Sequence, residues 1–370
     1  MKVVCHKDNL IQGINIVQKA VSTKSTQPIL EGILIEAADN LKLTGNDLEI
    51  GIESFIEADI LTKGSIVINS KMLGEIVRKL PDSMVMMEVR ENKSVYIECE
   101  NSHFEIRGLP ADGYPALPEI NRQEVLKIKQ NVLRDMIRQT VFAVGSDPNR
   151  PILSGSMIEN NENNFTIVSI DGFRLALRQK EFETENGAVV FNAVVPGKTL
   201  NEVVKILQPE DNNIEICKSK NQILFDLGNC RIVSRLLEGE YMNYRSIIPK
   251  EYETKIKVKT KELLSSIERA TLVSIEEKKY PVKFKISDEK LIISSNTELG
   301  NVREEINVDL TGERIEIGFN PRFFIDALKA VEDDEVNINF TTPLGPCTVT
   351  PLEGEEYSYL IVPVRIKSDI

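Results

Sequence analysis

Apolar residues recur along this chain with helical spacing at six places. In each place large apolar side chains stand three or four positions apart, which puts them on one face of a helix. In chain order, the six predicted amphipathic helices are built around Leu10, Leu73, Leu133, Leu200, Leu263 and Phe324. The first, third and fifth of these residues are 123 and 130 positions apart, and the others are 127 and 124 apart. The sequence therefore predicts a threefold repeat with two helices in each unit.

Between the helices the apolar positions alternate with polar ones, as in strands that have one buried face. Residues 95–97 and 104–106 alternate in this way around the turn residues Asn101 and Ser102, and four comparable runs lie at 214–216, 223–225, 336–340 and 347–349. The predicted fold class is α+β, with three similar domains that each pack two helices on antiparallel sheet. The proline-rich stretch 110–118 and residues 248–250 favour domain boundaries that give domains of 1–122, 123–250 and 251–370.

Several helix starts carry capping signals. Ser70 is a candidate N-cap, Thr199 and Glu202 have the spacing of a capping box, and Asn320 followed by Pro321 has the pattern of a cap and a first helical residue. These signals predict starts near 70, 199 and 321.

Composition narrows the classes of protein. Apolar residues make up 41% and charged residues 28% of the chain, as in folded globular proteins. No apolar run is long enough to span a bilayer and the first residues lack the apolar core of a signal peptide, so we expect a cytoplasmic protein. Five separated cysteines without a C-x-x-C motif predict reduced structural thiols, and only two histidines leave little material for acid-base chemistry or metal binding.

The formal net charge of −12 argues against nucleic-acid binding for the chain as a whole. The six helix windows (7–24, 70–80, 129–140, 197–207, 259–273 and 320–331) nevertheless each carry a net charge of +1 or +2. Solvated lysine and arginine on any single helix would be ordinary. Six windows of the same sign predict a basic face that attracts phosphates without reading bases.

Two patterns suggest enzyme chemistry, and neither develops into a site. Pro196 to Thr199 resembles the end of a phosphate-binding loop, but the glycine that such a loop needs five positions before Gly197 is Asn192 here. Asp47 and Asp171 stand at equivalent places in two repeats. A carboxylate pair for metal or acid-base work is one interpretation, and turn formation at a repeated bend is the favoured one.

Four segments resemble the beta subunit of bacterial DNA polymerase III, the sliding clamp family. They are residues 43–49 (Leu-Thr-Gly-Asn-Asp-Leu-Glu), 171–176 (Asp-Gly-Phe-Arg-Leu-Ala), 195–198 (Val-Pro-Gly-Lys) and 359–366 (Tyr-Leu-Ile-Val-Pro-Val-Arg-Ile). The resemblance extends along nearly the whole chain and implies a processivity factor that forms a pseudo-sixfold ring as a head-to-tail homodimer. It implies no catalysis and no cofactor. The implied partners are encircled double-stranded DNA, the catalytic polymerase subunit, the clamp loader and other polymerases and repair proteins.

The resemblance also implies an apolar cleft between the second and third domains that binds a short peptide motif of the partners. The matching positions are Leu153, Ile170, Gly172, Phe173, Arg174, Leu175, Met242, Ile247, Val362, Pro363, Val364, Arg365 and Ile366. Phe173 stands where the family often has histidine, Met242 where it has proline, and Val362 and Val364 where it has methionine. Ordinary core packing at a domain boundary is the alternative explanation for these residues.

For DNA contact the matching positions are Lys24, Arg150 and Lys198. For the dimer joint they are Phe104 and Ile106 in the first domain, and Leu272 and Val273 in the third. Plain surface cations and an inward-facing core strand are the respective alternatives. A scaffold built from repeats that binds proteins and never DNA is the competing function.

Overall fold

A computed structural model describes residues 1–22, 24–122, 124–161, 164–181, 190–273 and 281–366. Within these ranges the chain forms six α-helices and twenty-six strands, and each third of the chain has two of the helices. The predicted strands are all present. The six predicted helices and the α+β class are confirmed.

The first third begins and ends with a strand. Its elements are β1 (Lys2–His6), α1 (Lys7–Val17), β2 (Gly32–Ala37), β3 (Leu41–Asn46), β4 (Ile50–Ile56), β5 (Asp59–Thr62), β6 (Gly64–Asn69), α2 (Ser70–Lys79), β7 (Met84–Val89), β8 (Ser94–Cys99) and β9 (Ser102–Arg107).

The second third repeats this order with one strand fewer. Its elements are β10 (Val125–Lys129), α3 (Gln130–Arg138), β11 (Gly155–Asn161), β12 (Asn164–Ile170), β13 (Arg174–Glu181), β14 (Phe191–Pro196), α4 (Gly197–Ile206), β15 (Asn213–Lys218), β16 (Gln222–Asp226) and β17 (Cys230–Arg235).

The last third restores the full order of the first. Its elements are β18 (Thr254–Lys259), α5 (Thr260–Thr271), β19 (Val282–Ser287), β20 (Lys290–Thr297), β21 (Gly300–Asn307), β22 (Asp309–Gly312), β23 (Ile315–Phe319), α6 (Pro321–Ala330), β24 (Glu335–Phe340), β25 (Cys347–Thr350) and β26 (Tyr357–Ile361).

Tertiary contacts divide the chain into two compact units, and the second repeat contributes to both. One unit comprises Met1–Asn131 and Lys205–Leu236, and the other comprises Val132–Val204 and Leu237–Ile370. The first unit contains a five-stranded sheet, β5-β1-β7-β8-β9, and an eight-stranded sheet, β10-β15-β16-β17-β4-β3-β2-β6. The second contains a nine-stranded sheet, β14-β11-β12-β13-β26-β25-β24-β18-β22, and a four-stranded sheet, β21-β20-β19-β23. The domain boundaries at 122 and 250 stay a prediction.

The apolar helix positions found in the sequence are buried. Leu10, Leu73, Leu133, Leu200, Leu263 and Phe324 are all fully enclosed. In the second unit α5 packs beside α6 and over β19 to β21, and four phenylalanines (Phe284, Phe319, Phe324, Phe340) form a connected aromatic core. Removing such side chains from water is the main stabilisation available to each sheet and its helices.

Two of the predicted caps are wrong. The cap of α2 is Asn69, whose side chain accepts from the Met72 amide at 3.0 Å, and Ser70 is the first helical residue. Helix α4 already begins at Gly197, so Thr199 lies inside its first turn and cannot be an N-cap. For α6 the prediction is confirmed: Asn320 accepts from the Arg322 amide and Pro321 opens the helix.

The five cysteines are free and buried, as predicted for structural thiols. Burial raises the pKa of the Cys5 and Cys230 thiols to about 12, and it raises the pKa of Cys347 as well. These thiols therefore stay protonated and unreactive near neutral pH.

Two strand pairings connect consecutive repeats with the same geometry. In the first unit β17 pairs antiparallel with β4, and the Arg235 amide donates to the Glu49 carbonyl at 2.9 Å. In the second unit β26 pairs antiparallel with β13, and the Val362 amide donates to the Phe173 carbonyl at 2.9 Å. We call these pairings the first and the second junction. The equivalent strands that remain, β9 and β21, each lie at the edge of a sheet.

Candidate functional site

An apolar cluster lies beside the second junction. Leu153 comes from the short 3-10 turn Pro151–Ser154, Ile170 ends β12, Leu175 lies near the start of β13, and Ile247 follows the turn Tyr244–Ser246. The first three of these residues are buried and Ile247 is half-buried, and all four belong to one cluster. Four of the predicted cleft residues are therefore brought together.

The rim of this cluster is exposed and apolar. Phe173 is 62% exposed, and Met242, Val362 and Val364 are also exposed large apolar residues. Apolar side chains that remain in water beside a buried cluster are typical of a surface that binds a partner. The alternative of ordinary core packing does not account for these four.

The C-terminal segment forms one wall. After the bond from Val362 to Phe173, the Val364 amide donates to the Gly318 carbonyl at 2.8 Å. Ile366 packs closely on Gly318: a β-carbon on Gly318 would lie 2.6 Å from the Cγ1 atom of Ile366. Pro363 is half-buried and Arg365 is exposed along this path. The segment is thus held by the turn before β13 and by β23.

A tight turn aims Phe173 outward. The Asp171 carboxylate accepts from the Phe173 amide at 2.9 Å and from the Arg174 amide at 3.1 Å. Gly172 has a φ of +94°, which glycine adopts without steric cost. In the equivalent turn of the first repeat, Asp47 accepts from the Glu49 and Ile50 amides. The interpretation of both aspartates as turn formers is confirmed.

Arg174 is surrounded by partners of its own chain. Its guanidinium donates to the Asp171 carboxylate at 2.9 Å, to the Asp326 carboxylate and to the Phe142 carbonyl at 2.8 Å. The rings of Phe142 and Phe323 lie 5.4 and 4.8 Å from it. The side chain is 14% exposed. Arg174 is therefore engaged within its own chain, where it supports the candidate cleft.

Sequence reasoning missed several members of the site. Phe323 of α6 stacks on Phe173 with ring centroids 6.5 Å apart. Tyr241 is buried, and its hydroxyl donates to the Gly155 and Val168 carbonyls. Tyr114 makes the equivalent bonds to the Gly32 and Thr44 carbonyls in the first unit. An internal alignment of the segments that follow β9 and β17 could have identified these tyrosines.

A groove of about 910 Å³ lies near the cluster and shares Leu177, Tyr244 and Ile248 with it. None of the predicted cleft residues lines this groove. The apolar rim, and not this groove, has the chemistry that suits an aliphatic or aromatic anchor.

The predicted DNA contacts are all exposed side chains. Lys24 follows α1, Arg150 precedes the turn Pro151–Ser154, and Lys198 is the second residue of α4. Arg150 lies 3.8 Å from the Asp147 carboxylate and beside Gly172, so it borders the cleft turn as well. Gly197 packs closely on the Ser154 carbonyl, which gives this glycine a role without any bound phosphate.

The basic character of the helices is weaker than the windows predict. Within their observed bounds α1 and α5 have no net charge, and the other four helices keep a positive one. Several cations are also paired with carboxylates: Lys129 with Asp211, Arg138 with Glu332, Arg269 with Glu304 and Lys329 with Glu268. Part of the positive charge counted in the windows therefore belongs to residues outside the helices, such as Lys24.

The predicted joint residues lie on a sheet edge and at a helix end. Phe104 and Ile106 of β9 pair with the buried Ile97 and Val95 of β8, so they share the face of the core, yet Phe104 is 38% exposed. Leu272 caps α5 and is 79% exposed. The alternative of a fully inward-facing core strand does not describe β9.

One group of described residues brings three possible metal ligands within 4.8 Å, namely His6, Asp8 and Asp82. The His6 Nδ1 atom accepts from the Asp8 amide, and its Nε2 atom lies 3.9 Å from the Asp82 carboxylate. A neutral His6 then carries its proton on Nε2, where a metal would need a lone pair. The group is a helix cap beside an exposed carboxylate. None of the helices within the described ranges has the length and apolar character to cross a bilayer.

Known proteins resemble the chain from end to end. Three family models match in order: the DNA polymerase III beta subunit N-terminal domain at residues 1–118, the central domain at 127–243 and the C-terminal domain at 245–365. The beta sliding clamps of Halalkalibacterium halodurans and Bacillus subtilis are each 38% identical to the chain and cover 99% of it, and the match includes 100% of each relative.

Solved structures agree. The DNA polymerase sliding clamp from Bacillus subtilis superposes with a TM-score of 0.95 at 38% identity, over 99% of this chain and 100% of that one. The beta subunit from the DNA polymerase of Streptococcus pyogenes gives 0.94 at 31% identity, with the same coverage.

The repeated domains and the similarity to clamp structures define a DNA clamp fold. The chain belongs to the bacterial DNA polymerase III beta subunit family. This confirms the resemblance and the prediction of a non-catalytic subunit, since the curated relatives are named as clamps. The roles of individual site residues remain predictions.

Replacing Arg174 with lysine should remove the planar fork that joins two carboxylates and a carbonyl between two rings. We expect Arg174→Lys to destabilise the protein by about 2 kcal/mol and to weaken peptide binding at the cleft. Arg178→Lys is the matched control, because Arg178 has the same kinds of partner in smaller number, one carboxylate and one ring. Urea unfolding of both variants measures the difference, and equal midpoints would contradict a supporting role for Arg174.

Proposed function

We propose that two copies of this chain close head to tail into a ring that encircles duplex DNA and keeps the replicative polymerase on its template. The observation that carries the proposal is that, among the described residues, two strands, β9 and β21, lie at sheet edges without a partner on one side. Two junctions are already made within the chain, while β9 and β21, the strands equivalent to those in the junctions, end their sheets. A second copy offers the complementary edge to each, and two such contacts give six domains in a closed ring.

Apolar residues at these edges support the joint. Phe104 and Ile106 extend the core face of one sheet to its edge. Leu272 and Val273 directly follow α5, the helix that packs on β21. Leu299, in the turn before β21, is 67% exposed, and its neighbour Thr297 donates to the Val273 carbonyl. Burial of these side chains against a second copy stabilises a ring without covalent links.

Retention on DNA in such a ring is topological, so direct contacts need only be weak and blind to sequence. Exposed cations on helices and adjacent turns meet phosphates, and Lys24, Arg150 and Lys198 are the candidates. The net charge of −12 discourages binding elsewhere on the surface.

The apolar cluster and its exposed rim support a peptide-binding cleft for the partners. An extended peptide from the catalytic polymerase subunit, the clamp loader or a repair protein would place aliphatic or aromatic anchors against Leu175, Ile247 and Val362. The chain would act without cofactor or catalysis, in the cytoplasm where a bacterial chromosome is replicated.

The ring itself is tested by retention on DNA. With its loader, the protein should stay on nicked circular duplexes and slide off linear ones. Changing Leu272→Asp and Val273→Asp together should give a folded monomer, because an unpaired carboxylate is costly to bury. Sedimentation and gel filtration on the two DNA forms measure both effects. A double variant that still dimerises would remove these residues from the joint, and equal loss from both DNA forms would favour the scaffold alternative.

Reversing the three candidate cations should weaken loading while the dimer stays intact. We expect the triple variant of Lys24, Arg150 and Lys198 to glutamate to leak from circles faster, most clearly at low salt. The control reverses Lys63, Lys250 and Arg314, which are exposed and change the net charge equally. If both triple variants leak from circular DNA at the same rate, retention depends on the total charge of the protein and not on the position of these cations.

The cleft is tested on its exposed rim. Met242→Asp with Val362→Asp should weaken binding of a leucine- and phenylalanine-containing clamp-binding peptide at least tenfold, because a carboxylate would stand where an apolar anchor is buried. Leu344→Asp, at an exposed leucine of the same unit, is the control. Calorimetry gives the affinity, and unchanged binding in the double variant would place the cleft elsewhere.

A further inference from the structure

The two junctions within the chain have one common register. In the first, the pairing runs from Ile50 opposite Ser234 to Ser54 opposite Cys230. The Phe55 amide, six residues after Glu49, closes this junction with a bond to the Asn229 carbonyl. The second is closed in the same way by the Gln179 amide, six residues after Phe173, on the Glu356 carbonyl. The spacing between the two closing bonds is therefore a property of the repeat.

The hairpins before and after each junction strand align the third repeat with the other two. Leu299 corresponds to Glu49 and Phe173, since Asn296 faces Asn301 across its turn as Asn46 faces Gly51. Arg107 corresponds to Arg235, since β8 and β9 meet at a turn that matches the turn from β16 to β17. Applied to the joint of the proposed ring, this register places Phe104 opposite Val302 and His103 opposite Arg303.

The first pair lies on the core side of the sheet and is apolar, as the joint requires. The second pair lies on the outer side and joins two basic residues. At the same position the first junction has Arg231 opposite Glu53, and the second has Ser358 opposite Leu177. The joint is therefore the one place in this pattern where a titratable base faces a permanent cation.

We infer that His103 faces Arg303 of the next copy across the joint, and that protonation of His103 opens the ring more readily. The inference rests on the proposed ring. Like charges directly opposite on neighbouring strands repel. A neutral imidazole has no such effect, so the dimer is favoured when His103 is neutral and weakened when it is protonated.

Other charges near His103 do not cancel this difference. On its own sheet, Glu98 is opposite it, Glu105 is two residues on, and the Tyr96 hydroxyl lies 2.9 Å from its Nδ1 atom. Arg90 lies over the Tyr96 ring and 3.6 Å from Glu105. These groups surround His103 in the monomer and in the ring alike, so they drop out of the comparison.

Across the joint, Glu305 stands diagonal to His103 and would attract a protonated imidazole. Its carboxylate already accepts from Lys290 at 2.6 Å and from Arg303 at 3.4 Å. Those bonds also hold the pKa of Glu305 below its usual range, so it stays charged and committed to Lys290 in mild acid. Arg303 is 64% exposed and directly opposite, so repulsion outweighs this attraction.

The test is the dimer dissociation constant of the full chain, measured by sedimentation at about pH 8 and about pH 5.5, on either side of the titration of histidine. We expect the constant to rise on the order of fivefold in acid, since each ring has two such joints. In His103→Gln and in Arg303→Gln the rise should disappear. The chain has only one other histidine, so His6→Gln is the control and should keep the rise.

A cysteine pair tests the register independently. His103→Cys with Arg303→Cys should form an intermolecular disulfide under mild oxidation, and His103→Cys with Glu305→Cys should not. A rise that survives in His103→Gln or Arg303→Gln, no rise in the wild type, or a disulfide only in the second pair would overturn the inference. A wild-type protein that is monomeric at both pH values would instead overturn the proposed ring.

Discussion

An edge strand exposes backbone N–H and C=O groups that can pair with another strand, and this pairing joins the repeats of the chain. Within each unit, the last strand of one repeat pairs with a strand of the preceding repeat. In the first unit β17 pairs with β4, and in the second β26 pairs with β13. The repeat cannot satisfy its final edge alone, because β9 and β21 belong to the two ends of the series. A second copy would cover both of these edges by pairing β9 with β21.

The candidate cleft arises from the same junction geometry. The turn before β13 reverses the chain where β26 ends, since Arg174 is opposite Ile361. Asp171 fixes that turn through two backbone amides. Phe173 is left pointing outward while its carbonyl holds Val362. Arg174 then anchors the turn to α6 through Asp326. The proposed cleft and the second junction therefore share one set of hydrogen bonds.

Local sequence signals predicted the elements well, and long-range contacts poorly. Helical periodicity located all six helices, because a helix with one buried face has an apolar residue every three or four positions. The predicted caps at Ser70 and Thr199 are wrong because several residues that could cap a helix stand together at each start. The path of the incoming strand decides which residue is the N-cap. Periodicity gives no sign that Arg174 would meet Asp326, which is 152 positions away. The cleft positions came from resemblance, and the structure adds which of them are exposed.

Comparison of the two junctions explains why only one of them offers an apolar cleft. Gly51 stands where the second junction has Leu175, and a β-carbon there would lie 2.1 Å from the Leu117 side chain, so the linker packs directly on the sheet. Asn46 takes the place of Ile170 and holds that linker through the Pro115 carbonyl at 3.2 Å. The outward position of the turn is Glu49 in place of Phe173. Each change replaces an apolar surface with a polar or self-filled one, so a peptide with apolar anchors gains little by binding at the first junction.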